Sequence, residues 1–217
     1  MKISRCLLTL CGILFCVIAA NAATIIVDAG HGGVDGGAVS PNGTVESPLN
    51  LSIAGKIEEL FTFFGENTLM TRESEEIIYP PQCQSIRKKK IYDTNSRTEL
   101  VNQQENAVMI SIHQNSLPSS PQTHGAVVFY NKESGAEEIG ERIQSTLNQV
   151  INTENEKEAR QISKDIYLMN HCHHPAVLVE CGFLSNREDE KNLQDPEYQK
   201  IITAAVVCGY LQQEAVP

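Results

Sequence analysis

Three short apolar runs in this chain end on residues that hold or serve metals: IIVDAGH on His31, VMISIH on His113 and AVLVE on Glu180. Runs of this length read as buried strands. In a parallel sheet all strands point one way, so carboxyl ends far apart in sequence meet at one crevice, where open α/β sheets bind ligands. Elsewhere the spacing turns helical. Leu49, Ile53, Ile57, Leu60 and Phe64 form one such stripe, with Ser47 as the expected N-cap, Pro48 as the first helical residue and Gly65 as the stop. Ser134 and Glu137 have the spacing of a capping box ahead of Ile139, Ile143, Leu147 and Val150. Asp195 and Pro196 open a last helix. The stretch from Glu73 to Tyr92, with Pro80, Pro81 and the basic run Arg87 to Lys90, is predicted to be irregular and suited to a binding loop. No internal repeat is visible.

The first run opens a glycine-rich stretch, AGHGGVDGGAVSPNGTVE, that closes on Glu46. Glycine permits the tight path needed to bring Glu46 back beside His31. With His113 these residues make a His₂Glu set. Three protein ligands and a fourth place left for water is the pattern of a catalytic zinc, one ion per chain, although iron, manganese or cobalt suits the same donors. Glu180 follows four apolar residues, Ala176 to Val179, so desolvation should raise its pKa and fit it to carry a proton near neutral pH. Hydrolysis of an amide is the natural reading.

Each residue also has a plainer role. His31 alone is a loop histidine, His113 a polar strand end, and Glu46 an acid favoured at a helix start. Glu180 alone is half of a buried ion pair, with Arg72 or Arg97 as partner. Those arginines otherwise steady the site or meet carboxylates of a substrate peptide, with structural support the preferred role. Asn115 and Ser116 either donate hydrogen bonds into the cleft or shape the turn after His113. His171, Cys172, His173 and His174 have the composition of a metal cluster, but four consecutive residues rarely aim at one ion, so they are read as a loop ahead of the last strand. Arg87 to Lys90 reads otherwise as a solvated face, and His124 has no evident partner.

Length and charge narrow the function. The chain has 217 residues, enough for one domain with a sizeable core. Lys2 and Arg5 precede an apolar stretch from Cys6 to Ala20 and a small-x-small site at Ala20-Asn21-Ala22. That core is shorter than the roughly 20 residues of a spanning helix, so 1–22 is read as a secretory signal, with an uncleaved membrane anchor as the alternative, and 23–217 as the exported domain. Loss of two positive charges with the leader takes the formal charge from −10 to about −12. An acidic body argues against nonspecific nucleic-acid binding. Cys83, Cys172, Cys181 and Cys208 are read as free thiols, because an extended segment from Ala176 to Glu180 would hold Cys172 and Cys181 too far apart to bridge.

The motifs VDAGHGGVDGGAV, Glu46 ahead of LNLSIAGKI, LMTR, MISIHQNS and PAVLVECGFLSN occur in order between Thr24 and Leu211. In these the chain resembles the zinc-dependent N-acetylmuramoyl-L-alanine amidases that hydrolyse bacterial cell walls. The resemblance implies a single α/β domain with a mixed, mostly parallel central sheet flanked by helices. It implies zinc on His31, Glu46 and His113, Glu180 as catalytic acid/base, and peptidoglycan as substrate. TRES, the Arg87 to Lys90 patch leading to Arg97, and IYLM at Ile166 to Met169 are similar to the germination-specific enzymes of spore cortex. That likeness implies preparation of cortex for muramic lactam formation alongside a deacetylase, action in the forespore intermembrane space, and room for an accessory or activator protein. Division-linked relatives carry a long helical plug after the strand at Ala126 to Tyr130; here FYNKESGAEEIG leads straight into a helix. The rival readings are a zinc peptidase cutting within the stem peptide and a noncatalytic wall-binding module.

Overall fold

The computed structural model describes residues 23–212. The leader and its cleavage site lie outside the described residues. Six strands form one sheet in the order β2-β1-β3-β6-β4-β5: β1 Thr24–Ala29, β2 Thr68–Met70, β3 Ala107–Asn115, β4 Val127–Tyr130, β5 Arg160–Gln161 and β6 Ala176–Phe183. The pairs β2/β1, β1/β3 and β3/β6 are parallel, β4 runs antiparallel to β6, and β5 is parallel to β4. This is the mixed, mostly parallel sheet expected, in a single α/β domain. Register sets His113 directly beside Glu180, and Ala29, two residues before His31, beside Ile112. The three apolar runs therefore end on one side of the sheet's rim.

Six helices complete the described residues: α1 Glu46–Phe63, α2 Ile86–Asn102, α3 Ala136–Val150, α4 Tyr167–His171, α5 Arg187–Leu193 and α6 Pro196–Leu211. Helices α1, α3 and α6 cover one face. Their side chains, among them Ile53, Ile57, Phe61, Ile143, Leu147, Ile202 and Val206, bury the larger apolar cluster. At roughly 1.5–3 kcal/mol for each fully buried large aliphatic or aromatic side chain, this layer is the main source of stability. Helices α2 and α4 cover the other face with a smaller cluster built on Val101, Leu168 and Met169.

Three helix starts differ from the sequence reading. Helix α1 begins at Glu46, with Val45 as N-cap and no side-chain cap, so Ser47 is not the cap and Pro48 is the third helical residue. The glycine-rich loop caps the helix instead: Ala38 and Gly36 carbonyls accept from the N–H groups of Glu46 and Ser47 at 2.9 and 3.0 Å, and Pro48 has no N–H to satisfy. The Ser47 hydroxyl goes to Glu75. Helix α2 begins at Ile86 behind the Ser85 cap, so the basic run is helical rather than irregular; only the proline-bearing part before it stays open. Helix α3 starts behind Gly135 at φ 88° with no capping box, because Glu137 accepts from the Tyr130 hydroxyl instead. The Asp195 cap with Pro196 and the stop at Gly65 (φ 86°) are as read. Residues 131–135 lead from β4 straight into α3, without a helical plug. The four described cysteines are free.

Candidate active site

His31 follows β1 in a left-handed conformation, φ 60°, which is costly for a residue with a side chain and must be held in place. Two buried arginines hold it. Arg97 donates to the carbonyls of Ala29 and His31, and Arg72 to those of Ala29, Gly30 and Ser47. Their charges are balanced elsewhere, Arg97 by Asp28 and Asp93 and Arg72 by Glu75. Neither arginine pairs with Glu180; both are buried, Arg97 at the wall of the cleft. The guanidinium contacts of the two within the fold go mainly to this loop or to an acid beside it.

The loop then turns back through Gly37, φ 71°, to Glu46. A Cβ at residue 37 would stand 2.4 Å from Glu46 Oε2 and 2.7 Å from His31 Cδ2, and one at residue 30 would stand 2.2 Å from His113 Nε2. Glycine is required at both places because the site's own side chains occupy that space. Glu46 Oε2 faces His31 Nε2 at 3.3 Å and accepts from the Ala38 N–H at 2.7 Å; its Oε1 faces His113 Nδ1 at 2.9 Å and accepts from the Gln114 N–H and the Asn50 amide. One ligand atom from each of His31, Glu46 and His113 lies within 4.8 Å of the others, and they are the one such group among the described residues. Two nitrogens and one carboxylate oxygen, with His31 and Glu46 each oriented by a further partner, suit a divalent ion such as zinc. On His31 that partner is Asp35, 3.0 Å from Nδ1. His171, Cys172, His173 and His174 form no such group; His171 ends α4 and Cys172 is buried.

Glu180 stands next to this set, and its Oε2 is sealed from solvent with no hydrogen-bond partner. Burial pushes its carboxyl up to about 7, Glu46 adding to the effect and the histidines opposing it. For Glu46 burial acts in the same direction but is overcome by the His113 and His31 rings, which hold it well below the usual carboxylate range. Burial pulls His31 down, yet the hydrogen bonds and charges of Glu46 and Asp35 raise it to about 9. The two carboxylates are thus driven in opposite directions, Glu46 kept charged, as a metal ligand must be, and Glu180 brought into the range of proton transfer.

A cleft of about 450 Å³ opens over these groups, and Asn115 and Ser116 line it. The Asn115 side chain also accepts from the Ser116 N–H at 2.8 Å, so it shapes the turn as well. Sequence reading missed Asp35 and Asp28, and named Lys90 only as the end of the basic run. Asp28 was detectable as the one charge inside IIVDAGH; it accepts from Thr71, Ser111 and Arg97 beneath the site. Lys90 reaches Asp35 at 2.9 Å, a contact that no local pattern encodes.

Fold and cleft together define a hydrolase. Residues 25–211 match the N-acetylmuramoyl-L-alanine amidase family, and the chain belongs to it. The germination-specific N-acetylmuramoyl-L-alanine amidase of Bacillus subtilis is 32% identical over 188 residues, covering 87% of this chain and 78% of that one. The CwlD amidase from Clostridioides difficile, solved in complex with the GerS lipoprotein, superposes with a TM-score of 0.81 at 35% identity, covering 86% of this chain and 95% of that one. The amidase AmiC2 of Nostoc punctiforme superposes with a TM-score of 0.74 at 25% identity, covering 88% and 96%. The chain is accordingly an N-acetylmuramoyl-L-alanine amidase that acts on peptidoglycan, outside the cytoplasm as cell-wall amidases do. No described helix is long and apolar enough to cross a membrane.

Proposed function

We propose that this amidase is a zinc enzyme, with one ion held by His31, Glu46 and His113, and that Glu180 carries the proton. The observation behind this reading is the sealed, unpaired Glu180 Oε2 beside a preformed group of two imidazoles and a carboxylate. Zinc, when bound, supplies Lewis acidity toward water and the substrate carbonyl. Glu180 takes a proton from the attacking water and passes it to the L-alanine nitrogen as the lactyl–alanine bond breaks. Asp35 keeps Nε2 of His31 turned inward by engaging Nδ1, and Arg72 and Arg97 hold the loop that carries the ring. Asn115 and Ser116 serve as donors at the cleft wall.

The germination-specific relative supports a role in spore cortex, in the forespore intermembrane space, and the GerS complex of the solved relative supports an accessory protein for this chain too. Residues 1–22 are proposed as the export signal and 23–217 as the mature domain. Purified domain should release stem peptides whose new amino terminus is L-alanine, read by mass spectrometry of digested peptidoglycan. A new terminus further along the stem would favour a peptidase, and wall binding without turnover would favour a binding module.

A further inference from the structure

The cleft has two unlike sides. On the α2/α4 side its wall carries Asp93 and Asp165, with Asp35 facing them from the loop after β1, and its arginine, Arg97, is already engaged by Asp28 and Asp93. Lys90 nearby is taken up by Asp35. Among the described residues, that wall leaves no unengaged arginine or lysine for an acidic ligand. On the other side of β6, a second hollow of about 570 Å³ meets the first at Asn115 and is lined by Val127, Phe129, Phe183, Lys157 and Arg160. Among the described residues, neither the Lys157 ammonium nor the Arg160 guanidinium has a salt bridge or hydrogen bond to a carboxylate. Burial and the Arg160 charge lower the Lys157 pKa against the pull of Asp189. Exposed Glu156 and Glu158 also border the hollow.

Register fixes how far this pair stands from the chemistry. Val127 pairs with Glu180, Phe129 lies two residues further along β4, and Arg160 pairs with Phe129. At about 3.3 Å per residue and about 4.8 Å between strands, the Arg160 backbone is roughly 12 Å from that of Glu180, about three extended peptide residues. The face is also open, because α2 and α4 stop short of β4 and β5 and leave Phe129 half-buried.

We propose that this hollow is the subsite for the stem peptide, where Lys157 and Arg160 receive a carboxylate of its second or third residue, while the neutral glycan lies along the acidic wall. The assignment rests on the amidase reading and adds an orientation to it. A guanidinium binds a carboxylate in a planar fork, and the ammonium adds a second charge-assisted bond, so loss of the carboxylate should be felt in binding.

The test compares an N-acetylmuramoyl tripeptide bearing a free α-carboxylate on its second residue, and one bearing it on its third, with the matching carboxamides. The parent enzyme should show a KM about tenfold lower for at least one acid than for its amide. In the double variant Lys157→Gln/Arg160→Gln that ratio should fall to near one, with Arg160→Lys retaining part of it. Unchanged discrimination in the double variant would overturn the proposal. Equilibrium binding of the already cleaved tripeptides, which needs no turnover, keeps the two readings apart: a parent that cleaves nothing strikes the amidase mechanism, whereas equal tripeptide binding by parent and double variant strikes the subsite.

Discussion

On β1, Ile25, Val27 and Ala29 turn toward α1, α3 and α6, whereas Ile26 and then Asp28 turn toward α2 and α4; on β3 the same division separates Val108, Ile110 and Ile112 from Met109, Ser111 and His113. On β6 it separates Val177, Val179 and Cys181 from Ala176, Leu178 and Glu180. One face stays apolar until the strand ends, where Gln114 meets Asn50 and Glu46 at the start of α1. The other changes from apolar to ionisable as the strands approach the cleft, and its buried Asp28, Ser111, Arg72 and Arg97 are consumed in holding a strained loop. Because side chains alternate, the strands carry a layer for stability on one side and most of the chemistry on the other, with Glu46 of α1 reaching the site from the end of the first. Burial that stabilises the first face perturbs the carboxylates of the second.

Substitutions on the two faces should therefore separate. The largest effect is expected from Glu180→Gln, which should lower kcat by about 10³–10⁴-fold with bound metal retained, as stopped assays and metal analysis would read. Asp28→Ala removes the counter-charge of buried Arg97 and should cost about 3–5 kcal/mol by denaturant unfolding. Burial raises the Asp28 carboxyl, but Arg97, Ser111 and Thr71 overcome it and depress the folded pKa. Its stabilisation is present above the ordinary carboxyl range and is lost as pH falls through the depressed value, so the gap between parent and variant should close in acid. Ile110→Ala, on the apolar face, should cost about 2–5 kcal/mol and leave kcat per folded molecule unaltered. A fall in kcat there would break the division between faces.

The smallest effect sharpens the comparison most. Glu180 has a raised carboxyl pKa of about 7, so the stability of the metal-free fold should fall as pH rises from the ordinary value through about 7. Glu180→Gln removes that penalty. At pH 8 the metal-free variant should be more stable than the parent by about 1–3 kcal/mol, and near pH 4 the difference should vanish. Thermal unfolding at the two pH values reads it directly.

Much of the second face is visible in the linear chain, because strand-end residues announce themselves as polar stops to apolar runs. His31, His113 and Glu180 are of this kind, and Glu46 follows from the glycines that lead to it. What stays hidden depends on pairing across the fold. The start of α1 is misread because its caps are loop carbonyls eight and eleven residues upstream rather than a side chain. Glu137 leaves its expected capping box for Tyr130. The partners of Arg72 and Arg97 could not be chosen from spacing, since Asp28 and Arg97 lie 69 residues apart. Lys157 and Arg160 gave no signal at all until β5 was set beside β4.

Metal analysis of the purified chain and three variants tests the central claim most directly. One zinc per chain is expected in the parent and in the inactive Glu180→Gln enzyme, and none in His31→Ala or His113→Ala, whose folding is checked by circular dichroism. Full zinc in either histidine variant, or undiminished stem-peptide release by Glu180→Gln, would contradict the account.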